Sequence, residues 1–549
     1  MKESLFKFNR PHKINKKVAI ITAKEAAKLI PSGCCVYVGG DNVGICEPTR
    51  LIESLVEQYE ITGYPNDLTL FLTTGTGDRI KDSNRGYSAL AVPGMVKRLY
   101  TSIVGQSPKL AKMVDDNLCE AYNFSMGTLS QVTRAAAANK PGVISKVGLN
   151  TFFDPRQQGG KLNTRTTEDL VELIKINDEE YLFYKTVFPD VTLLRGTTAD
   201  TEGYITSEEE IGCRYYDDLA AAQAAHNRGG LVFVQVKRVV EAGSLRPYDI
   251  RIPGMLVDAI IVDPNQPQTY SMEGMPTDLF ATGDLISTSE LKPVHLDERK
   301  VIARRALIEC KPNDIGNIGF GVMNSIKGIA NEERFINDIT LTTETGMIGG
   351  ITDNSKTSPG SFGFNVNFDA IMPMADMFNF YEGGGLDIAF LSFAQVDRFG
   401  NVNVHILNNS IMGTGGFTHI ATCAKTVVFG GTLTTGGLKT EVGDGKIKIL
   451  QEGRFRRFPK DVDQISFNGK DALTNGQKII YITERCVFHL VEEGVELIEI
   501  AISPSLSSQA FPLKKCHPPS LPAPVGILIF SITHQSELFV KFSNVPKLI

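Results

Sequence analysis

Apolar runs of strand length alternate with stretches of helical period along most of the 549 residues, which predicts an α/β protein built on mainly parallel sheets. Thr22-Ala-Lys-Glu25 is a capping box, in which the hydroxyl and the carboxylate each satisfy an end amide, so a helix is predicted from there to Ile30. An apolar strand from Cys34 to Val38 comes next. It is followed by a glycine-rich turn (Gly39, Gly40, Gly44), a helix after Pro48 and a strand opening on Asn66-Asp-Leu-Thr-Leu70.

The same order returns in the second half of the chain. A helix (Val301 to Cys310) leads to a strand entering Asn317-x-Gly319-x-Gly321, then another helix, then Asn337-Asp-Ile-Thr-Leu341. Ala199-Asp200-x-x-Gly203 and Val396-Asp397-x-x-Gly400 form a second matched pair, each followed by an apolar strand, Leu231 to Val234 and Thr426 to Phe429. Two matches in one order imply a duplication. We expect an N-terminal domain over 17–285, a connection over 286–300, a C-terminal domain over 301–501 and an atypical Pro/Ser-rich tail over 502–549. The first half also carries extra residues around Leu149 to Pro189, to which the sequence assigns no role.

Composition narrows the function by exclusion. The formal net charge of −6, without a Lys/Arg stripe interleaved with aromatics, offers no field for a nucleic acid backbone. The longest apolar runs, such as Val525 to Ile532, fall short of the roughly 20 residues needed to cross a bilayer, so no membrane span is expected. Met1 to Lys17 is Lys-rich but lacks an apolar h-region, which makes a cytoplasmic location the expectation and an organelle the alternative. Nine cysteines and eight histidines are dispersed, with no C-x-x-C and no H-E-x-x-H; reduced thiols are expected and a metal site is not.

Duplicated folds keep their scaffold in both copies, so a polar residue present in one copy alone points to chemistry. Aligning Asn66-Asp67 with Asn337-Asp338 sets Thr73 opposite Glu344, at the end of the predicted strand Ile339 to Thr343 and just before Gly346, Gly349 and Gly350. Ligands of open α/β sheets collect at the carboxyl ends of strands. A lone strand-end glutamate is more often solvated surface, but three glycine loops change the balance: Asn317-x-Gly319-x-Gly321, Gly383-Gly384-Gly385 and Gly413-Thr-Gly415-Gly416. Such loops let backbone N–H groups approach a phosphate or an oxyanion. Together they point to a phosphate-bearing acyl carrier.

The runs Glu344-Thr-Gly-Met-Ile-Gly-Gly350, Tyr381-Glu-Gly-Gly-Gly-Leu-Asp387 and Gly413-Thr-Gly-Gly-Phe417, with Asp154-Pro-Arg-Gln-Gln-Gly-Gly160 and Ile482-Thr-Glu-Arg485, resemble the class I coenzyme A transferases of the acetate/propionate branch. The likeness covers roughly residues 17 to 501. It implies two tandem open α/β domains of the common CoA-transferase fold. It also implies that Glu344 is a nucleophile that passes through a mixed anhydride to a glutamyl-CoA thioester, with ping-pong kinetics. Oxyanion donors are then expected from the backbone of Gly384 and Gly385 and from the first-half segment Met126-Gly127. The loop residues Asn317, Gly319, Gly321, Gly413, Gly415 and Gly416 become the expected CoA contacts.

The resemblance further implies acyl-CoA and short-chain acids such as acetate, propionate or butyrate as substrates, no cofactor beyond CoA itself, and a homo-oligomer (dimer or tetramer). An acyl-CoA hydrolase and a CoA-binding protein of low turnover are the alternatives. Two features depart from the family pattern: Met126 stands where Gln is usual, and a thioether cannot donate a hydrogen bond; and the tail after residue 501 has no amphipathic period.

Overall fold

The computed structural model describes residues 5–40, 45–75, 77–210, 217–266, 285, 287–288, 291–353, 364–407 and 410–501, with the short strand pair Ile529–Phe530 and Val540–Lys541. Gly44 and most of the tail lie outside the described residues.

In the first half the predicted capping box forms: the Thr22 hydroxyl accepts from the Glu25 amide, and the Glu25 carboxylate accepts from the Thr22 amide at 2.8 Å, opening helix α1 (Ala23–Lys28). The strands are β1 (Ala19–Ile20), β2 (Cys35–Val38), β3 (Leu68–Gly75), β4 (Val96–Ile103) and β5 (Glu120–Asn123), then β6 (Gly142–Ser145), β7 (Val171–Ile176), β8 (Glu179–Lys185), β9 (Val191–Arg195), β10 (Leu231–Val236) and β11 (Ala259–Val262). Helices α2 (Thr49–Thr62), α3 (Pro108–Asp115), α4 (Met126–Ala137) and α5 (Asp218–Asn227) lie between them. Eight of the strands make one sheet in the order β1-β11-β10-β9-β2-β3-β4-β5, and every pairing in it is parallel. Both faces of such a sheet are covered, which explains why every residue of β2 and β10 is buried rather than every second one.

The second half opens with helix α6 (Glu298–Leu307), which begins earlier than the expected Val301 because Asp297 caps it, accepting from the amides of Arg299 and Lys300. Strands β12 (Ile315–Ile318), β13 (Thr340–Thr342), β14 (Met347–Asp353), β15 (Phe364–Ile371), β16 (Ile388–Ser392), β17 (Thr426–Gly430), β18 (Lys478–Ile482), β19 (Cys486–Val491) and β20 (Gly494–Ile500) follow, with α7 (Ile326–Glu332), α8 (Met374–Phe380) and α9 (Phe417–Cys423). The sheet order is β15-β14-β13-β12-β16-β17-β18-β19-β20. The strands from β13 to β18 are parallel, and an antiparallel hairpin closes each end.

The strand order β11-β10-β9-β2-β3 in one sheet repeats as β18-β17-β16-β12-β13 in the other. Registers agree with the sequence alignment: Val36 stands opposite Leu70 and Val191, as Gly316 stands opposite Leu341 and Ile388. The Asp-x-x-Gly matches are turns of one design, in which Asp200 accepts from the amides of Glu202 and Tyr204, and Asp397 from those of Phe399 and Asn401.

The extra first-half residues have a structural use. They supply β7 and β8, which pair with β6 in the antiparallel sheet β6-β8-β7, and reach the second half, where the Phe152 amide donates to Ile465, the Phe152 ring stacks on His405 and Asn150 donates to Asp471. Among the described residues no helix is long and apolar enough to cross a membrane.

Candidate active site

Glu344 sits in the turn joining β13 to β14, where the chain reverses. The Thr343 amide donates to the Met347 carbonyl at 2.9 Å, the Gly346 amide donates to the Thr343 carbonyl at 3.0 Å, and Gly346 takes a φ of 103°, which a side chain would strain. The Met372 carbonyl would lie 2.0 Å from a Cβ at Gly346, so the turn is pressed against the start of α8. The Glu344 carboxylate is half-buried and lies against Gly416, where an added Cβ would stand 2.1 Å from Oε2. Any residue larger than glycine at 416 would displace it.

Tyr381 ties this turn to the glycine run after α8. Its hydroxyl bonds Thr342 Oγ1 at 2.8 Å and accepts from Asn317 Nδ2 at 3.0 Å. Burial pushes the phenol above its ordinary range, and the Glu344 charge adds to the effect. The chain then makes a π-helical turn, Tyr381–Gly385, with Gly384 at φ 89°. Nothing lies within 4 Å of where a Cβ would stand at Gly383 or Gly384, so this backbone faces open space.

The same turn is anchored to the first half through Glu382. Its carboxylate accepts from Ser145 Oγ at 2.5 Å and Gln131 Nε2 at 2.7 Å, and lies 3.4 Å from Nε2 of the buried His419. Burial pushes the Glu382 carboxyl up, but the neighbouring His419 ring, with the Ser145 and Gln131 donors, outweighs it and holds the group at about 2. Arg134 pairs with Asp376 at 2.6 Å on the same seam.

The loop Gly413–Gly416 joins the two halves. Gly413 bridges to Ile103, the Gly415 amide donates to the Ser102 carbonyl at 2.9 Å, and the Gly415 carbonyl accepts from the Met126 amide at 2.9 Å. A Cβ at Gly413 would come within 2.7 Å of the Ile103 backbone. The glycines therefore permit backbone to approach backbone. Both amides have protein partners, because the Gly413 amide donates to the His405 carbonyl at 3.2 Å.

Asn317 and Gly319, also expected at the CoA site, have protein partners. Asn317 is fully buried on β12 with its amide on Tyr381, and the Gly319 amide donates to the Phe390 carbonyl at 2.7 Å. Gly321, at φ 97°, is exposed, whereas Gly416 is buried against Glu344. Met126 opens α4 with its side chain fully buried in the second half's core, beside Met374, Met377, Phe378 and Tyr381. Gly127 is required by a neighbour as well, since a Cβ there would meet His419 Nδ1 at 2.5 Å. Gly385 packs against the Phe380 ring.

Sequence reasoning did not find Tyr381, Glu382, His419 or Lys327. The first two stand inside the quoted run Tyr381 to Asp387, which was the available signal. Lys327, on α7, is fully buried and donates from Nζ to the Gly349 carbonyl at 2.5 Å, bracing the hairpin behind Glu344. Burial pulls its amine down to about 7 against the opposing effect of Asp369.

Known proteins agree with this geometry. The family described as Coenzyme A transferase matches residues 20–263. The acetate CoA-transferase YdiF of Escherichia coli K12 is 47% identical over 493 residues, covering 90% of this chain and 91% of that protein. The caffeate CoA-transferase of Acetobacterium woodii is 40% identical over 488 residues, covering 88% and 91%. The crystal structure of the acyl-CoA transferase YdiF apoenzyme from E. coli O157:H7 superposes with a TM-score of 0.83 at 46% identity, covering 89% of this chain and 91% of that one; the same enzyme is also known as a thioester complex with CoA, at the same TM-score. With its paired sheets, its hairpin glutamate and this likeness over nearly its whole described length, the chain belongs to the coenzyme A transferase family.

Proposed function

We propose that the protein transfers CoA between a short-chain acyl-CoA and a free carboxylate through a glutamyl-CoA thioester on Glu344. The observation that carries this reading is the placement of that carboxylate: out of the sheet on a tight hairpin, against a glycine, with the Tyr381–Gly385 turn linked to its strand.

In the first half-reaction Glu344 attacks the acyl-CoA carbonyl. The C–S bond breaks, CoA leaves as a thiolate and the acyl group becomes a mixed anhydride with the glutamate. The thiolate attacks the glutamyl carbonyl of that anhydride, releasing the free acid and leaving the glutamyl-CoA thioester. The incoming carboxylate repeats the two steps in reverse and departs as its own CoA thioester. A carboxylate nucleophile suits this exchange because both the anhydride and the thioester keep the acyl group activated, whereas a serine would trap it as a stable ester.

Each attack develops an oxyanion. Backbone amides of the Gly384–Gly385 turn are the proposed donors, and losing one such donor typically costs about 10²- to 10³-fold in rate. The acetate, propionate or butyrate class of acid, and the homo-oligomeric state, belong to the same proposal; a panel of acids and sedimentation would read them.

Incubation with acetyl-CoA alone, followed by borohydride or hydroxylamine trapping and peptide mass analysis, tests the chemistry. Modification confined to the peptide holding Glu344 supports it. Steady loss of acetyl-CoA without an acceptor acid would favour hydrolysis on the same scaffold, and an unmodified peptide beside intact acetyl-CoA would sink the covalent reading.

A further inference from the structure

Arg79 lies in the loop that follows β3 of the first half, and its guanidinium sits over the ring of Phe320 in the second, 4.4 Å from the ring centroid. Phe320 belongs to the Asn317–Gly321 turn at the carboxyl end of β12, the strand paired with β13, which leads directly into the Glu344 turn. The contact therefore crosses the cleft between the carboxyl ends of the two sheets, on the side where the nucleophile emerges.

Three observations distinguish Arg79 from an ordinary surface arginine. Its backbone is left-handed, with φ 65°, a conformation that costs energy for a residue bearing a Cβ and recurs at binding sites. The loop enforces that conformation: the Arg79 amide donates to the Gln106 carbonyl at 2.7 Å, and a Cβ at the preceding Gly77 would lie 2.8 Å from the same oxygen.

The neighbouring acid is already engaged. The Asp78 carboxylate turns into its own loop, accepting from the Ile80 amide at 3.1 Å and from Ser83 Oγ at 2.6 Å. Burial lowers the Arg79 guanidinium, and no carboxylate among the described residues offsets that cost. Finally, a guanidinium seated over an aromatic face, as Arg79 is over Phe320, has N–H groups to spare for the two oxygens of a phosphate or a carboxylate.

We propose that Arg79, seated on Phe320, is a substrate-binding residue that takes a substrate oxyanion in the cleft, either a phosphate of CoA or the carboxylate of the exchanging acid. An anion arriving there would neutralise a half-buried charge through charge-assisted hydrogen bonds. The inference rests on the cleft being the CoA-transfer site, but its test needs no turnover.

CoA and pantetheine, which lacks the phosphates, would be titrated calorimetrically into Glu344→Ala and into Glu344→Ala/Arg79→Ala, with acetate binding followed by NMR. Loss of a charge-assisted bond is expected to weaken binding about 10- to 100-fold. If a phosphate is the partner, affinity falls for CoA and is unchanged for pantetheine; if the acid is the partner, it falls for acetate and is unchanged for CoA. Arg79→Lys, which keeps the charge but not the planar fork, should recover part of the loss. Equal affinities for all three ligands in both proteins would overturn the proposal, as would a uniform loss accompanied by a lower Tm, which marks a merely structural loop. Because the readout is binding, a failure here is distinct from a failure of Glu344 as nucleophile, which the trapping experiment reads.

Discussion

Strand β3 of the first half and strand β13 of the second hold the same place in their sheets and end differently. β3 continues to Gly75, parallel to β2 and β4, and its Thr73 is 3% exposed with its hydroxyl on Tyr37 at 3.3 Å. β13 stops at Thr342 and turns back antiparallel, leaving Glu344 half-buried at the bend. Elsewhere the copies stay alike: Asp190 accepts from the Cys35 amide as Asp387 accepts from the Ile315 amide, both at 3.0 Å. A common scaffold thus exposes a carboxylate in one copy by shortening one strand. A parallel ladder would bury a carboxylate at that point at a cost of several kcal/mol, whereas a hairpin bend lets it face the cleft.

The largest expected effect tests whether the second copy alone is chemical. Glu344→Ala should reduce exchange by at least about 10⁴-fold while calorimetry finds CoA affinity retained; substantial exchange in that variant would break the comparison. Thr73→Glu asks the reverse question. It places an unpaired carboxylate inside a parallel sheet, so urea denaturation should show a loss of about 3 kcal/mol or more, with no exchange gained in a Glu344→Ala background. Recovered exchange would mean that the strand end matters less than the residue.

Glu344→Asp sharpens the geometry. Withdrawing the carboxylate by one methylene should cost about 10²-fold in kcat with Tm unchanged, and a rate near the parent's would show the hairpin to be adjustable. Met126→Gln supplies the side chain usual in the family, but at a position where the Met126 thioether is wholly buried among apolar neighbours. Stability should fall by about 1–3 kcal/mol in thermal or urea melts, and turnover should stay put because the Met126 amide remains on Gly415. A raised turnover would restore this residue to the oxyanion site.

An effect confined to acid pH concerns Glu382. With its carboxyl held at about 2 against an ordinary 4.5, it contributes stability that is fully present above pH 4.5 and is lost as pH falls toward 2. Glu382→Gln should flatten the acid-denaturation curve in that window. An unaltered slope would show that the glycine turn is not held by this carboxylate.

Much of this was legible in the chain. The capping box, the strand runs and the two matched pairs of motifs are local patterns, and local patterns survive folding because each is satisfied by neighbours in sequence. Glu344 stood out because the copies could be aligned without coordinates. Asp154 was visible only as part of a polar turn. Its carboxylate is fully buried and accepts from the amides of Asn150 and Arg156, and Asn150 in turn donates to Asp471, over three hundred positions away.

The sequence by itself determined an α/β duplication, the order of its elements along the chain in outline, and a single carboxylate at a strand end in one copy. Only the tertiary structure decided what each glycine and buried polar residue is for. Gly416 yields space to Glu344, Gly413 yields it to the backbone at Ile103 and Gly415 to the Ile103 side chain, and Asn317 serves Tyr381. The physical reason is that a glycine records only the absence of a Cβ, and whether a ligand or another strand fills that space depends on which distant backbone folding brings opposite it.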